Sequence, residues 1–216
     1  MTLEFYASDL SPFTRPVELQ LNMKGIEYER VVPDRDYVLG EEYGKLTPLR
    51  KIPLLVVDGT AIAESRVISD LIEDLYPSPS LLPDSALNRA RARMLCTVVT
   101  LYIAGPAVQI FANQRGRNSA DIEADARALL VRGLDGLEHW IKPGPYALGK
   151  TRTVADCFAA PTLFFLRDIL PAMGFGDFPE WGGKTKAYFA KVQQDADVAQ
   201  CLASMDSAMK QRFAQA

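Results

Sequence analysis

Apolar and polar positions follow two different rhythms along the chain. In residues 3–7, Leu-Glu-Phe-Tyr-Ala alternates and is rich in aromatics, which predicts a strand. Val17, Leu19, Leu21 and Met23 sit among polar neighbours and predict a helix over about 12–24, with Gly25 as its terminator. Residues 27–32 read as a second strand, and 33–50 as a loop with a short helix near Gly-Glu-Glu-Tyr-Gly-Lys-Leu. Pro53 to Ser65 reads as two strands joined at Asp58-Gly59, a strong hairpin signal. Val67, Ile68, Leu71, Ile72 and Leu75 then mark the apolar face of a helix running from Glu64 to Tyr76. The order is β-α-β-(α)-β-β-α. Its βαβ unit demands a right-handed crossover and a parallel strand pair.

Three prolines in residues 77–83 break this pattern and mark a linker. Beyond it the apolar period is helical throughout, at about 86–113, 119–141, 154–170, 180–193 and 196–213. Asp84 or Ser85, Ser119 and Asp195 suit caps. Thr153 and Asp156 have capping-box spacing ahead of an apolar helix that should be buried, with a kink expected at Pro161. The chain therefore divides into an α/β unit at 1–77 and an all-helical unit at 86–216.

Composition adds exclusions. Of 216 residues, 48% are hydrophobic and 24% charged, an ordinary globular balance. A net charge of −3 argues against a nucleic-acid partner. Arg89, Arg91 and Arg93 form the one basic cluster; Arg89 and Arg93 share a helix face that is solvated or meets another subunit. No uninterrupted apolar run reaches the ~18–20 residues of a membrane span. The N-terminus reads directly as a strand, without a leader. Cys96, Cys157 and Cys201 are odd in number and far apart, which fits a reducing cytoplasm rather than a disulfide framework. With those cysteines and His139 as the lone histidine, no metal site is expected, and His139 reads as a structural or surface residue.

Three local constellations carry chemistry. In Ser11-Pro12-Phe13-Thr14, Ser11 suits both a helix cap and a hydroxyl directed at a ligand. In Lys51-Ile52-Pro53, a proline enters a strand. From the residues alone a trans bond is the favoured reading. A cis bond would expose the backbone of Ile52 to an extended peptide. In Ala63-Glu64-Ser65 a strand passes into a helix whose first turn suits a carboxylate, with Glu64 placed for an ammonium group. The plain alternative is an ordinary acidic residue near a helix start.

Together these motifs resemble the cytosolic glutathione transferase superfamily, in its serine-type, bacterial or plant tau-like form. The likeness is strongest over 3–76, where Ser-Pro-Phe, Lys-Ile-Pro-Leu-Leu-Val-Val-Asp-Gly and Ala-Glu-Ser occur in family order, and Thr-Val-Ala-Asp at 153–156 supports it. The resemblance implies a thioredoxin-like N-terminal domain, cis-Pro53, an all-α C-terminal domain and a homodimer. It also implies glutathione as co-substrate. The Ile52 backbone pairs with the cysteinyl part, Glu64 and Ser65 hold the γ-glutamyl end, and Lys51 lies near the glycyl carboxylate. Classes with cysteine before Pro-Phe transfer thiols through a mixed disulfide; Ser11 implies conjugation instead.

A free thiol titrates near pH ~8.5, and lowering that by about two units takes ~2.7 kcal/mol of preference for the anion. A hydroxyl donating to sulfur and a helix N-terminus supply it together. Ser11 is the expected activator, with Ser8 and Tyr6 as competitors. The electrophile site is expected to draw on Phe13, Tyr102 and Phe111. Other functions stay open: a binding module without catalysis, or glutathione-dependent peroxide reduction or dehalogenation.

Overall fold

The computed structural model describes residues 1–116, 118–176 and 178–214. The first part runs β1 (Leu3–Tyr6), α1 (Thr14–Met23), β2 (Glu29–Val31), α2 (Arg35–Leu39), α3 (Glu41–Leu46), β3 (Leu54–Val57), β4 (Thr60–Ala63) and α4 (Ser65–Leu75). The four strands form one sheet in the order β2-β1-β3-β4. β1 pairs parallel with β2, Phe5 opposite Arg30, and antiparallel with β3, Phe5 opposite Leu55. Asp58 and Gly59 both have positive φ, 46° and 81°, as the two-residue β3–β4 turn requires. The Asp58 carboxylate accepts from the Thr2 backbone N–H at 2.7 Å, tying that turn to the chain start.

Strand alternation sends side chains to two cores. Leu3, Phe5 and Leu55 face α1 and α4, meeting Val17, Leu21, Ile68 and Ile72. Tyr6, Leu54 and Val56 face the other side and meet Tyr43 of α3. α1 is buried nearly all round. Its Val17 and Leu21 belong to the sheet core, whereas Leu19 and Met23 belong to the helical core. That double burial explains the unusual apolar spacing seen in its sequence. α4 differs from expectation at Val67 and Leu75, which are exposed; its inner face is Ile68, Ile72 and the small or polar Ser65, Ser69 and Glu73. α2 was not anticipated. Asp34 caps it, accepting from the Tyr37 N–H at 2.7 Å.

The second part contains α5 (Ala86–Val98), α6 (Gly105–Arg115), α7 (Ala120–Trp140), α8 (Val154–Phe164), α9 (Leu170–Ala172), α10 (Gly183–Val192) and α11 (Ala196–Ala214). π-Helical segments occupy Val99–Ala104 and Phe165–Ile169. Each immediately precedes a helix with proline in its first turn, Pro106 in α6 and Pro171 in α9. A proline has no N–H to donate and crowds the carbonyl four residues back, so a widened turn ahead of it accommodates the ring. α8, by contrast, continues through Pro161, where a kink was expected.

The helical run Ala86–Arg115 is long and apolar enough, by length and composition, to cross a membrane. Its inward face, including Leu95, Val99, Ile103 and Ile110, lies in the helical core. Ser85 and Asp195 cap as expected, Ser85 toward Asn88 and Asp195 toward Asp197 and Val198. Ser119 does not cap through its side chain; Asn113 holds its backbone at both N–H and C=O. The proline-rich segment is firmly tied. Lys24 Nζ donates to the Pro79 carbonyl at 2.6 Å and to Glu73 at 2.9 Å, and Glu73 accepts from the Leu81 N–H. Arg93 bonds Asp70 of α4 at 2.9 Å, whereas Arg89 turns back to the Asp84 carbonyl. His139 is exposed, edge-on to Trp140.

Candidate active site

The loop between β1 and α1 carries the first group. Ser11 Oγ accepts from the N–H groups of Phe13 at 3.2 Å and Thr14 at 3.3 Å. Its carbonyl accepts from Thr14 and Arg15, so both of its oxygens serve the turn leading into α1. A hydroxyl that accepts in this way keeps its own proton to donate. Pro12 has no N–H to leave unpaired at this entry.

Behind the loop lies a buried ionic cluster that sequence reading missed. Arg15 of α1 donates through Nε to the Asp9 carbonyl at 2.6 Å, and through one terminal nitrogen to Glu18 at 2.7 Å and Ser204 Oγ of α11 at 3.3 Å. Arg30 of β2 bonds Glu18 and the Asp9 carboxylate. The 8–11 loop is therefore pinned to α1, β2 and α11 at once. The one local sequence signal was Glu18 three residues after Arg15, a spacing that puts the two on one helix face.

The second group sits where β3 and β4 meet α4. The Ile52–Pro53 bond is cis, and the trans reading is overturned. The Lys51 carbonyl accepts from the Tyr43 hydroxyl at 2.8 Å, which fixes the approach to Pro53 from below. Glu64 has φ 70° and ψ 112°, a region costly for a non-glycine residue at about 1–3 kcal/mol. Its strained backbone puts the carboxylate on the surface and Ser65 at the first position of α4. Arg66 follows, another residue the sequence reading passed over. Its guanidinium lies 5.2 Å from the Phe158 ring, and Nε and one terminal nitrogen are buried without a hydrogen-bond partner. Its other terminal nitrogen lies 3.5 Å from Asp70, one turn along α4, so the helix N-terminus itself is the feature suited to a carboxylate.

Two adjoining cavities result, and Phe13 lines both. One, of about 130 Å³, brings Lys51, Ile52, Pro53, Glu64 and Ser65 together with Leu49 and Ala63. The other, of about 200 Å³, is lined by Ser8, Ser11, Phe111 and Phe165, among others, with Arg212 of α11. Phe111 packs edge-on against Phe175 at 4.8 Å. Tyr102 is not a lining residue. It lies in the first π-helical segment, 41% exposed, with its backbone against Gly133 of α7. A larger cavity near Trp181 and Phe189 has no hydroxyl or thiol among its lining residues.

The competing activators separate. Tyr6 points into the core beside Tyr43, ring centroids 5.5 Å apart, and lines neither cavity. Burial, with the neighbouring Tyr37 and Glu4, pushes its phenol further from ionisation. Ser8 lines the same cavity as Ser11, and its carbonyl accepts from the Ser11 N–H.

The family model for the glutathione S-transferase N-terminal domain matches residues 5–80, and that for the C-terminal domain matches 86–190. A probable maleylacetoacetate isomerase of Caenorhabditis elegans is 30% identical over 158 residues, 68% of this chain and 71% of that protein. A Pseudomonas putida glutathione S-transferase is 26% identical over 215 residues, 96% of this chain and 94% of that protein. The solved holo structure of a maleyl pyruvate isomerase, a bacterial zeta-class glutathione S-transferase, superimposes with a TM-score of 0.73 at 25% identity. It covers 93% of this chain and 97% of that one.

Proposed function

We propose that this chain, which belongs to the glutathione S-transferase family, activates the thiol of glutathione at Ser11 and directs the thiolate at an electrophilic, largely apolar substrate. The observation that carries the reading is the adjacency of two cavities across Phe13. One offers charged and backbone groups suited to a tripeptide; the other offers a hydroxyl in an apolar wall. On this reading residues 1–77 hold glutathione, and 86–216 complete the electrophile site.

Glutathione lies extended along cis-Pro53, its cysteinyl backbone against Ile52. Its γ-glutamyl carboxylate rests on the first turn of α4 at Ser65, with Arg66 behind and Glu64 facing the ammonium. Lys51 faces the glycyl carboxylate. The sulfur then lies at the start of α1, where the Ser11 O–H and the helix N-terminus both favour the anion. The sulfur lone pair attacks the electrophilic carbon held against Phe13 and Phe111, and the leaving group departs with its electron pair. Ser11 keeps its proton throughout, so catalysis is stabilisation of the thiolate plus proximity.

A second reading, glutathione-dependent isomerisation, is favoured by the isomerases among the relatives; it uses the same thiolate and returns glutathione unchanged. The exposed Val67 and Leu101 support a homodimer built on helices around 65–100. Retention on immobilised glutathione, together with consumption of glutathione against 1-chloro-2,4-dinitrobenzene, tests the transferase reading. Retention without turnover of several electrophiles contradicts it.

A further inference from the structure

Resting on that reading, we propose that Arg212 makes the electrophile site selective for substrates that carry a carboxylate. Among the described residues, Arg212 is the only charged side chain lining the cavity that contains Ser11. The rest of the wall is apolar apart from the hydroxyls of Ser8 and Ser11. Among the described residues, no carboxylate lies within ion-pair distance of the Arg212 guanidinium. Among the described residues, Asp9 is the one acid lining the adjoining cavity with Arg212, and Arg30 already binds it at 2.6 Å while Arg15 approaches at 3.6 Å. The surrounding acids Asp206 and Glu18 are likewise taken, by Lys210 and by Arg15 with Arg30.

Arg212 is exposed at the rim of this apolar wall, with no carboxylate of the described residues paired to it, and a planar carboxylate is the group its fork of donors matches. The lining orders the substrate end to end. The reacting carbon faces Ser11, an apolar or aromatic body lies on Phe13 and Phe111, and the acid reaches Arg212 at the mouth. The substrate class is therefore an amphipathic acid whose electrophilic centre and carboxylate stand at opposite ends of an apolar body.

The test compares 4-(chloromethyl)benzoate with its methyl ester. In both, the thiolate forms a C–S bond at the benzylic carbon as the C–Cl bond breaks and chloride leaves with its electron pair. The two differ in charge at the far end. The readout is the ratio of kcat/KM for the acid to that for the ester, in wild type, Arg212→Gln, Arg212→Lys and the surface control Lys210→Gln. A charge-assisted contact at an exposed guanidinium implies a fall in that ratio of about two- to fivefold in Arg212→Gln. The change is expected mainly in KM for the acid, as for an interaction made equally in ground and transition states. Arg212→Lys restores part of the ratio, and Lys210→Gln leaves it at the wild-type value. An unchanged ratio in Arg212→Gln overturns the proposal while leaving the transferase reading intact. Equal losses on acid and ester, with a raised pKa for the bound thiol, also overturn it and reassign Arg212 to the sulfur. Wild-type protein that turns over neither compound contradicts the transferase reading itself, and this proposal with it.

Discussion

Asp156 provides the sharpest test of how the helical half holds together. It is fully buried at the start of α8, a helix with every residue buried. Its carboxylate accepts from the Ala147 N–H at 2.7 Å, the Thr153 N–H at 2.8 Å and the Thr153 hydroxyl at 3.3 Å. One side chain thus closes the capping box and anchors the α7–α8 connection. Asp156→Ala leaves two buried backbone N–H groups without acceptors, at about 1–3 kcal/mol each, and loses a cap worth about 1 kcal/mol. A total near 4 kcal/mol follows, a large share of the ~5–15 kcal/mol typical of a folded domain. Asp156→Asn helps little, because its amide nitrogen turns a donor toward a donor; a loss of about 2–3 kcal/mol is expected. Urea unfolding at fixed protein concentration measures both through the midpoint at constant m. An Asn variant within 1 kcal/mol of wild type refutes the reasoning.

The same residue has a pH signature. Burial outweighs the three donors and raises Asp156 from 3.8 to about 6. A raised folded pKa means the native state binds the extra proton. The contribution is complete below the unfolded value and is lost as pH rises through about 6. The stability gap between wild type and Asp156→Ala should therefore be wider at pH 5 than at pH 7.5. A gap that widens with pH would show that the donors win instead.

Other expectations follow from single contacts. Arg15→Met removes the guanidinium pinning the Asp9 carbonyl, Glu18 and Ser204, and should cost about 3 kcal/mol in denaturant unfolding; a loss under 1 kcal/mol means the loop is held by other contacts. Gly133→Ala places a Cβ against the Tyr102 carbonyl oxygen and forces α7 off its neighbour, lowering the thermal midpoint by several degrees; an unchanged midpoint contradicts that packing. Burial pushes Cys96 and Cys201 up to about 12 and raises Cys157 well above its ordinary value. All three thiols should resist a disulfide-exchange reagent in native protein at neutral pH and react after unfolding.

Much of this architecture was legible in local pattern. β1 alternates, the Asp58-Gly59 turn needs two positive φ angles, and Thr153-Asp156 spacing announced a capping box that forms. The elements that eluded the sequence depend on partners far along the chain. Tyr102, expected at the electrophile site, lies in the π-helical segment Val99–Ala104 and lines neither of the two cavities that meet at Phe13. Arg15 and Arg212 looked like ordinary helical cations. Only the fold carries α11 back across the β1–α1 loop, placing Ser204 on the first and the second beside Ser11. Ile52–Pro53 read as trans from its residues alone, since most bonds before proline are trans, and only the family resemblance implied the cis bond that is found.

The central claim is that the Ser11 hydroxyl holds glutathione sulfur as its anion. The direct measurement is the ultraviolet absorbance of the bound thiolate against pH, in wild type, Ser11→Ala and Ser8→Ala. The bound thiol should titrate about two units below the free value of ~8.5 in wild type and in Ser8→Ala. Loss of one hydrogen bond to a charged group, about 1.5–3 kcal/mol, should move it back up by about one to two units in Ser11→Ala. An unshifted thiol in Ser11→Ala, or a shift in Ser8→Ala alone, contradicts the assignment.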